Sequence, residues 1–296
     1  MNGVVVVDKP TGVTSHDVVQ RVRKTIGQRS VGHAGTLDPL ATGVLVVAVG
    51  EGTKLVSYLQ AHDKRYDVTI ALGIETDSLD ADGQVTATAA VPDLGPKTVS
   101  GALESFLGTH GQRAPAMSAV KVQGTPLHRR TRRGEAVELP VRNVTLHSAL
   151  VKQVSREELR LDLHCGKGFY VRALARDLTR KLGTVGHVSA LRRTASGPFV
   201  LDDAVEGDSL SREAIEARLL TLAEACGGLT RVELDDAGVD HARHGRRIDR
   251  ENTLGETWPD ETGPGLALFG SDGVPVAIGT REGDQIRVVR GFVSSR

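Results

Sequence analysis

The stretch Gly32-His33-Ala34-Gly35-Thr36-Leu37-Asp38-Pro39-Leu40-Ala41-Thr42-Gly43 leads straight into Val44-Leu45-Val46-Val47-Ala48-Val49. A polar, glycine-rich loop feeding an apolar run predicts a buried strand with a ligand-meeting loop at its mouth. Pro39 biases Asp38 toward extended backbone and blocks helix there. Gly35 and Gly43 permit backbone approaches that a Cβ forbids. The loop therefore offers one carboxylate on a stiff turn, with His33 nearby. On composition alone the same residues also make an ordinary turn, with Asp38 bonding its own backbone.

The chain around this stretch has 296 residues, 39% hydrophobic and 25% charged. That is the balance of a globular protein with one large domain, or one large and one small. No apolar run approaches ~20 residues, so no membrane helix is expected. Val4 to Val7 follow no basic leader and read as a first strand rather than a signal peptide. Cys165 and Cys226 are isolated, which argues against a disulfide framework and suits a reducing, cytoplasmic setting. His241 and His244 have no further ligands around them in the sequence, and no metal is assigned.

The net charge is zero, but it is sorted along the chain. From Gln112 to Asn143 seven basic side chains face two acids, a net of +5; from Asp202 to Glu224 two face seven, a net of −5. A basic face and an acidic face are expected. Arg129, Arg130, Arg132 and Arg133 crowd five positions without an acid. Thr125-Pro126 ahead of them reads as the start of a short helix, and phosphate contact is the favoured use of that charge.

In order, Ser15 is the expected cap of a helix with Val18, Val19, Val22 and Ile26 inward. Gly52 to Gln60 reads as helix. Lys64 to Leu72 alternates, with Tyr66, Val68 and Ile70 on one face, and is a strand. Asp80-Ala81-Asp82-Gly83 is a turn. Thr98 is the expected cap of the next helix. Leu146–Val154 and Glu158–Cys165 make an antiparallel pair. A helix from about Phe169 places Arg172, Arg176 and Arg180 on its polar face. Ser211 to Leu222 reads as an acidic helix. Near Leu229 the pattern changes to a short helix and three short strands. The chain carries neither a phosphate-loop nor a dinucleotide fingerprint.

The string GHAGTLDPLATGVLVVAVGEGTK resembles the signature of the TruB family of tRNA pseudouridine synthases, which act on uridine 55 of the T-arm. Asp-Lys-Pro-x-Gly-x-Thr-Ser at Asp8 to Ser15 resembles that family's first motif. Cys165-Gly-Lys-Gly-Phe-Tyr-Val-Arg172 resembles its arginine motif, and Leu191-Arg192-Arg193 continues the match. Met117, His128 and Phe169 depart from the usual residues. The resemblance implies an α+β fold. It would have a mixed, mostly antiparallel central sheet flanked by helices, followed by a small PUA-like β domain. Domains at 1–228 and 229–296 are expected, with an RNA-gripping insertion at about 112–140.

The resemblance further implies that Asp38 is the nucleophile and Arg172 its ion-pair partner. Tyr66 stacks on the target base, with its hydroxyl oxygen a candidate to take the C5 proton. Leu191 packs against the base, Lys9 and Tyr170 support the site, and His33 fills the space left by the flipped nucleotide. No cofactor is needed, because the isomerisation involves neither redox change nor phosphate donor. The partner is the T-arm stem-loop of tRNA; the expected state is a monomer with no obligate protein partner and no membrane. A non-catalytic tRNA chaperone is the alternative from another class. The lysine-poor tail points away from a guide-dependent synthase subunit.

Overall fold

The computed structural model describes residues 1–117, 139–255, 258–259 and 265–293, with the backbone of 121–122 and 125–126. Gly3–Lys9 and Thr42–Val49 pair antiparallel, Val5 opposite Val47. Both are apolar at nearly every position because both faces are covered. Val5, Val7, Leu45, Val47 and Val49 point into one core with the helix Ser15–Ile26. Val4, Val6, Val44, Val46 and Ala48 point into a second core on the reverse face. Lys64–Leu72 alternates instead: its odd positions meet solvent, and Tyr66, Val68 and Ile70 are buried.

These strands belong to a ten-stranded mixed sheet. Its path runs Val205–Glu206, Gly3–Lys9, Thr42–Val49, Gly186–Ser196, Lys64–Leu72, Glu158–Cys165, Val141–Val154 and Gly108–Arg113. Most neighbours are antiparallel. The exceptions are Val205–Glu206 on Gly3–Lys9, and Arg192 and Arg193 beside Thr42 and Gly43. The fold is α+β, as expected. A five-stranded sheet, built from Thr230–Glu233, Leu266–Phe269, Pro275–Glu282, Gln285–Gly291 and Ile248–Asp249, follows. Its Ala267, Phe269, Ile278 and the neighbouring Phe292 complete the reverse-face core. The Lys54 ammonium donates to the Gly291 carbonyl at 2.7 Å across that seam.

Several local expectations are corrected. The cap of Ser15–Ile26 is Thr14, whose hydroxyl accepts from the Asp17 amide while Asp17 accepts from the Thr14 amide. Ser15 is buried and turned the other way, accepting from the Leu37 amide at 2.8 Å and donating to its carbonyl. Gly50–Leu55 is 3-10 helix, with only Val56–Leu59 α-helical. The next helix is Pro96–Glu104, with proline in its first turn and Gly95 as cap. The acidic segment splits into Arg212–Ala217 and Leu222–Ala225. Thr125–Pro126 is a strand paired with Lys121–Val122 rather than a helix start.

Candidate active site

Asp38 is presented by a loop that is clamped from below. Lys9 is fully buried, and its ammonium donates to the carbonyls of Pro10 at 2.8 Å, Val13 at 2.7 Å and Pro39 at 3.2 Å. The Gly12 amide also donates to the Pro39 carbonyl, and the Asp38 carbonyl accepts from the Ala41 amide at 3.0 Å. Lys9 is thus a structural tie under the loop rather than a solvated turn lysine. Burial pulls its pKa down to about 8, against the attraction of Asp38.

Above the clamp, Arg172 reaches Asp38 from the first turn of the helix Val171–Lys181. Its Nε lies 2.9 Å from Oδ2, and its Nη2 donates to Oδ1 at 2.9 Å. The other N–H groups reach the Ser78 carbonyl at 2.8 Å, the Met117 carbonyl at 3.0 Å and the Asp80 carboxylate at 3.3 Å. All five donors of this planar fork are therefore directed at acceptors. The guanidinium is buried, so the helix face carrying it is not a polar one. Arg176 is buried as well, bonding Asp177 and the Arg113 carbonyl.

Asp80, a second carboxylate against the Arg172 guanidinium, is a neighbour of the pair that the sequence did not disclose. It is 4% exposed and accepts from the Ser78 hydroxyl and the Asp82 amide. Preceding Leu79 has φ +65°, the left-handed region that a branched residue occupies only under constraint. Leu79 is held there by its amide on the Thr76 carbonyl and its carbonyl on the Val188 amide. Asp-x-Asp-Gly reads as a solvent turn; only the non-glycine left-handed residue marks it as a site.

Burial raises the Asp38 pKa above its ordinary value, and nearby Asp80 adds to the rise; Arg172 and then Lys9 oppose it. The Asp38 side chain keeps about a third of its surface, 34%, open to a cleft of about 920 Å³. Tyr66, Phe169, Tyr170, Leu191 and Lys64 share the walls. The volume suits a nucleotide-sized ligand. Burial also raises the Tyr66 phenol. Tyr66 nonetheless keeps a place on the cleft wall. Tyr170 is fixed by Gln112, whose amide donates to the Tyr170 carbonyl at 3.1 Å and accepts from its amide at 2.8 Å. Arg193, 1% exposed, donates to the carbonyls of Val44 and Gly35 and so ties the strand pair to the loop.

Asp38, Tyr66, Arg172, Tyr170 and Leu191 are therefore brought to one cleft. Lys9 lies beneath it. His33 sits on the strand Val31–His33 opposite Val47 and is not among the residues that line the cleft; burial lowers its imidazole pKa. Arg129, Arg130, Arg132, Arg133 and His128 lie outside the described residues.

The TruB family pseudouridylate synthase N-terminal domain matches residues 23–171, and the tRNA pseudouridylate synthase B C-terminal domain matches 172–224. A protein named tRNA pseudouridine synthase B from Geobacter sulfurreducens is 41% identical, covering 94% of this chain and 93% of its own. The chain belongs to the TruB family. A Thermobifida fusca protein of the same name is 40% identical over 99% of both chains. TruB membership makes the chain a pseudouridine-forming isomerase. A crystal structure of a Cbf5-Nop10-Gar1 complex shares the fold at TM-score 0.75 and 24% identity, covering 98% of this chain and 85% of that one. The two matched TruB segments meet between Val171 and Arg172, so the Asp38–Arg172 pair joins one to the other.

Proposed function

We propose that this chain isomerises uridine 55 in the T-arm of tRNA to pseudouridine, with Asp38 as the nucleophile. The observation that carries the reading is an aspartate gripped by a buried arginine on the floor of a nucleotide-sized cleft. The relatives named tRNA pseudouridine synthase B support tRNA as the substrate class. The non-catalytic chaperone reading draws no support from them.

In this reaction the N1–C1′ bond breaks and a C5–C1′ bond forms. The C5 proton leaves and N1 gains one, so atoms balance without redox change. The Asp38 carboxylate supplies the attacking electron pair. Arg172 fixes its direction and favours its charged form. The target base must leave its stack, which costs a few kcal/mol. Tyr66 and Leu191 offer the extruded base a ring face and an apolar wall. Arg142 and Lys167 on the cleft wall, with Arg129, Arg130, Arg132 and Arg133, supply phosphate contacts, making affinity fall with salt. His33 enters the vacated space in the RNA. The sheet from Thr230 onward acts as a PUA-like RNA-binding module, the domains dividing at about residue 228. Among the described residues no helix is long and apolar enough to cross a membrane; a cytoplasmic setting goes with the proposed tRNA substrate.

The test is incubation of the purified chain with an unmodified tRNA transcript, followed by mapping of every uridine. Conversion confined to position 55, and abolished when that uridine is replaced by cytidine, is expected. Conversion elsewhere with position 55 untouched overturns the site assignment.

A further inference from the structure

We propose that Asp63, His147 and His164 form a binding site for a zinc-class divalent transition-metal ion. None of the three lines the cleft that holds Asp38. Their ligand atoms lie within 4.8 Å of one another. The His147 Nε2 is 3.2 Å from Asp63 Oδ2, and the His164 Nε2 is 3.8 Å from the same oxygen. Four-coordinate zinc, with bonds of about 2.0–2.2 Å, separates its ligand atoms by about 3.3 Å. The observed spacings need only small rotations to reach that geometry.

Three separate pieces of backbone build the cluster. Asp63 precedes the strand Lys64–Leu72, and its carbonyl is pinned by the Gly197 amide at 2.8 Å. His164 lies opposite Arg65 on the face of the sheet away from buried Leu163 and Cys165. His147 is the extra residue of a bulge: Leu146 faces Cys165 and Ser148 faces His164, leaving His147 unmatched between them. A bulge re-aims one side chain out of the alternating pattern. Here it sets the two imidazoles with ring centres 4.7 Å apart.

Two nitrogens and one carboxylate oxygen are the donor set of zinc, copper or nickel; magnesium and calcium require oxygen. Three protein ligands leave a fourth position for water. The other charged neighbours of His164 are Arg65 and Asp162, of opposite sign. All three side chains are partly exposed, so an ion enters without opening the fold. Beside the cluster lies a second cleft of about 520 Å³, bordered by Asp63, Arg65, His164, His62 and Tyr58, with room for coordinated water.

The full chain, stripped with chelator, is titrated with Zn²⁺ against a chromogenic competitor at pH 7.5. One ion per chain is expected. Affinity should weaken by at least ~10-fold in His147→Ala, in His164→Ala and in Asp63→Asn, since losing a ligand costs no less than losing a supporting contact. Co²⁺ in the same site should give the visible absorption of a four-coordinate ion. Zn²⁺ should raise the Tm of the parent and leave that of the His147→Ala/His164→Ala variant unmoved. Pseudouridine formation by the double variant should match the parent, which shows that it folds. Undiminished Zn²⁺ affinity in the double variant overturns the proposal, as does a parent chain that binds no ion at submillimolar Zn²⁺. Equal competition by Mg²⁺ overturns the metal class.

Discussion

Arg172 holds Asp38 by two parallel contacts, Nε to Oδ2 and Nη2 to Oδ1, each 2.9 Å long, across 134 residues of chain. The pair sets the direction in which the carboxylate faces the cleft. Lysine at position 172 keeps the charge but loses the fork. Arg172→Lys should therefore lower kcat by about 100-fold or more, the range for a misplaced catalytic group. The Kd for tRNA should stay within a few-fold. Single-turnover kinetics alongside filter binding read both quantities, and near-normal kcat would remove the orienting role.

The pH profile carries a sign. Burial and Asp80 raise the Asp38 pKa, and the nucleophile must be ionised. Turnover should fall as pH drops through a value above the ordinary aspartate pKa of 3.8. Asp80→Asn removes a neighbouring negative charge, so the acid limb should move to lower pH. It also frees one contact of Arg172, so kcat at neutral pH should drop by about 10-fold. An acid limb that stays in place, or moves up, contradicts the coupling.

Lys9 is a buried tie with three carbonyl acceptors. Lys9→Met leaves those carbonyls without their donor and should cost about 2–4 kcal/mol at pH 7. The folded pKa, about 8, lies below the unfolded 10.5. Its titration therefore contributes stability that is full above pH 10.5 and is lost as pH falls through 8. The parent's advantage over Lys9→Met should widen between pH 8 and 10.5. Urea unfolding of both proteins across that window checks the slope.

Gly43 has φ +99° and lies beside Arg193 in the parallel pairing of the two strands. A Cβ there would overlap the Arg193 carbonyl oxygen and stand 2.9 Å from its nitrogen. Gly43→Ala should lower unfolding free energy by about 2 kcal/mol or more, from backbone strain added to a clash with main chain. An unchanged urea midpoint would show that the strands separate freely.

Much of this was legible in the chain. The runs at Val4 and Val44 announced strands covered on both faces, and the alternation at Tyr66 a strand covered on one. The motifs around Asp38 and Arg172 carried the pairing, which local periodicity alone does not supply for residues so distant. Helical spacing put Arg172 and Arg176 on a polar face. Burial reversed that, because Asp38, Asp80 and backbone carbonyls converge on that side. Ser15 looked like a cap because it follows Thr14, an equally good one; the Leu37 loop claims Ser15 instead. Asp80 was hidden inside turn chemistry. The Asp63 cluster depends on a bulge at His147, a shift of register that residue types do not announce.

The most direct test of the central claim is single-turnover reaction of Asp38→Asn with a T-arm stem-loop. Asparagine keeps the size of the side chain and two polar atoms toward Arg172 but lacks the nucleophilic charge. The account predicts RNA binding within a few-fold of the parent and no pseudouridine at position 55 during many parent half-lives. Pseudouridine accumulating in that variant at a rate near the parent's would contradict it.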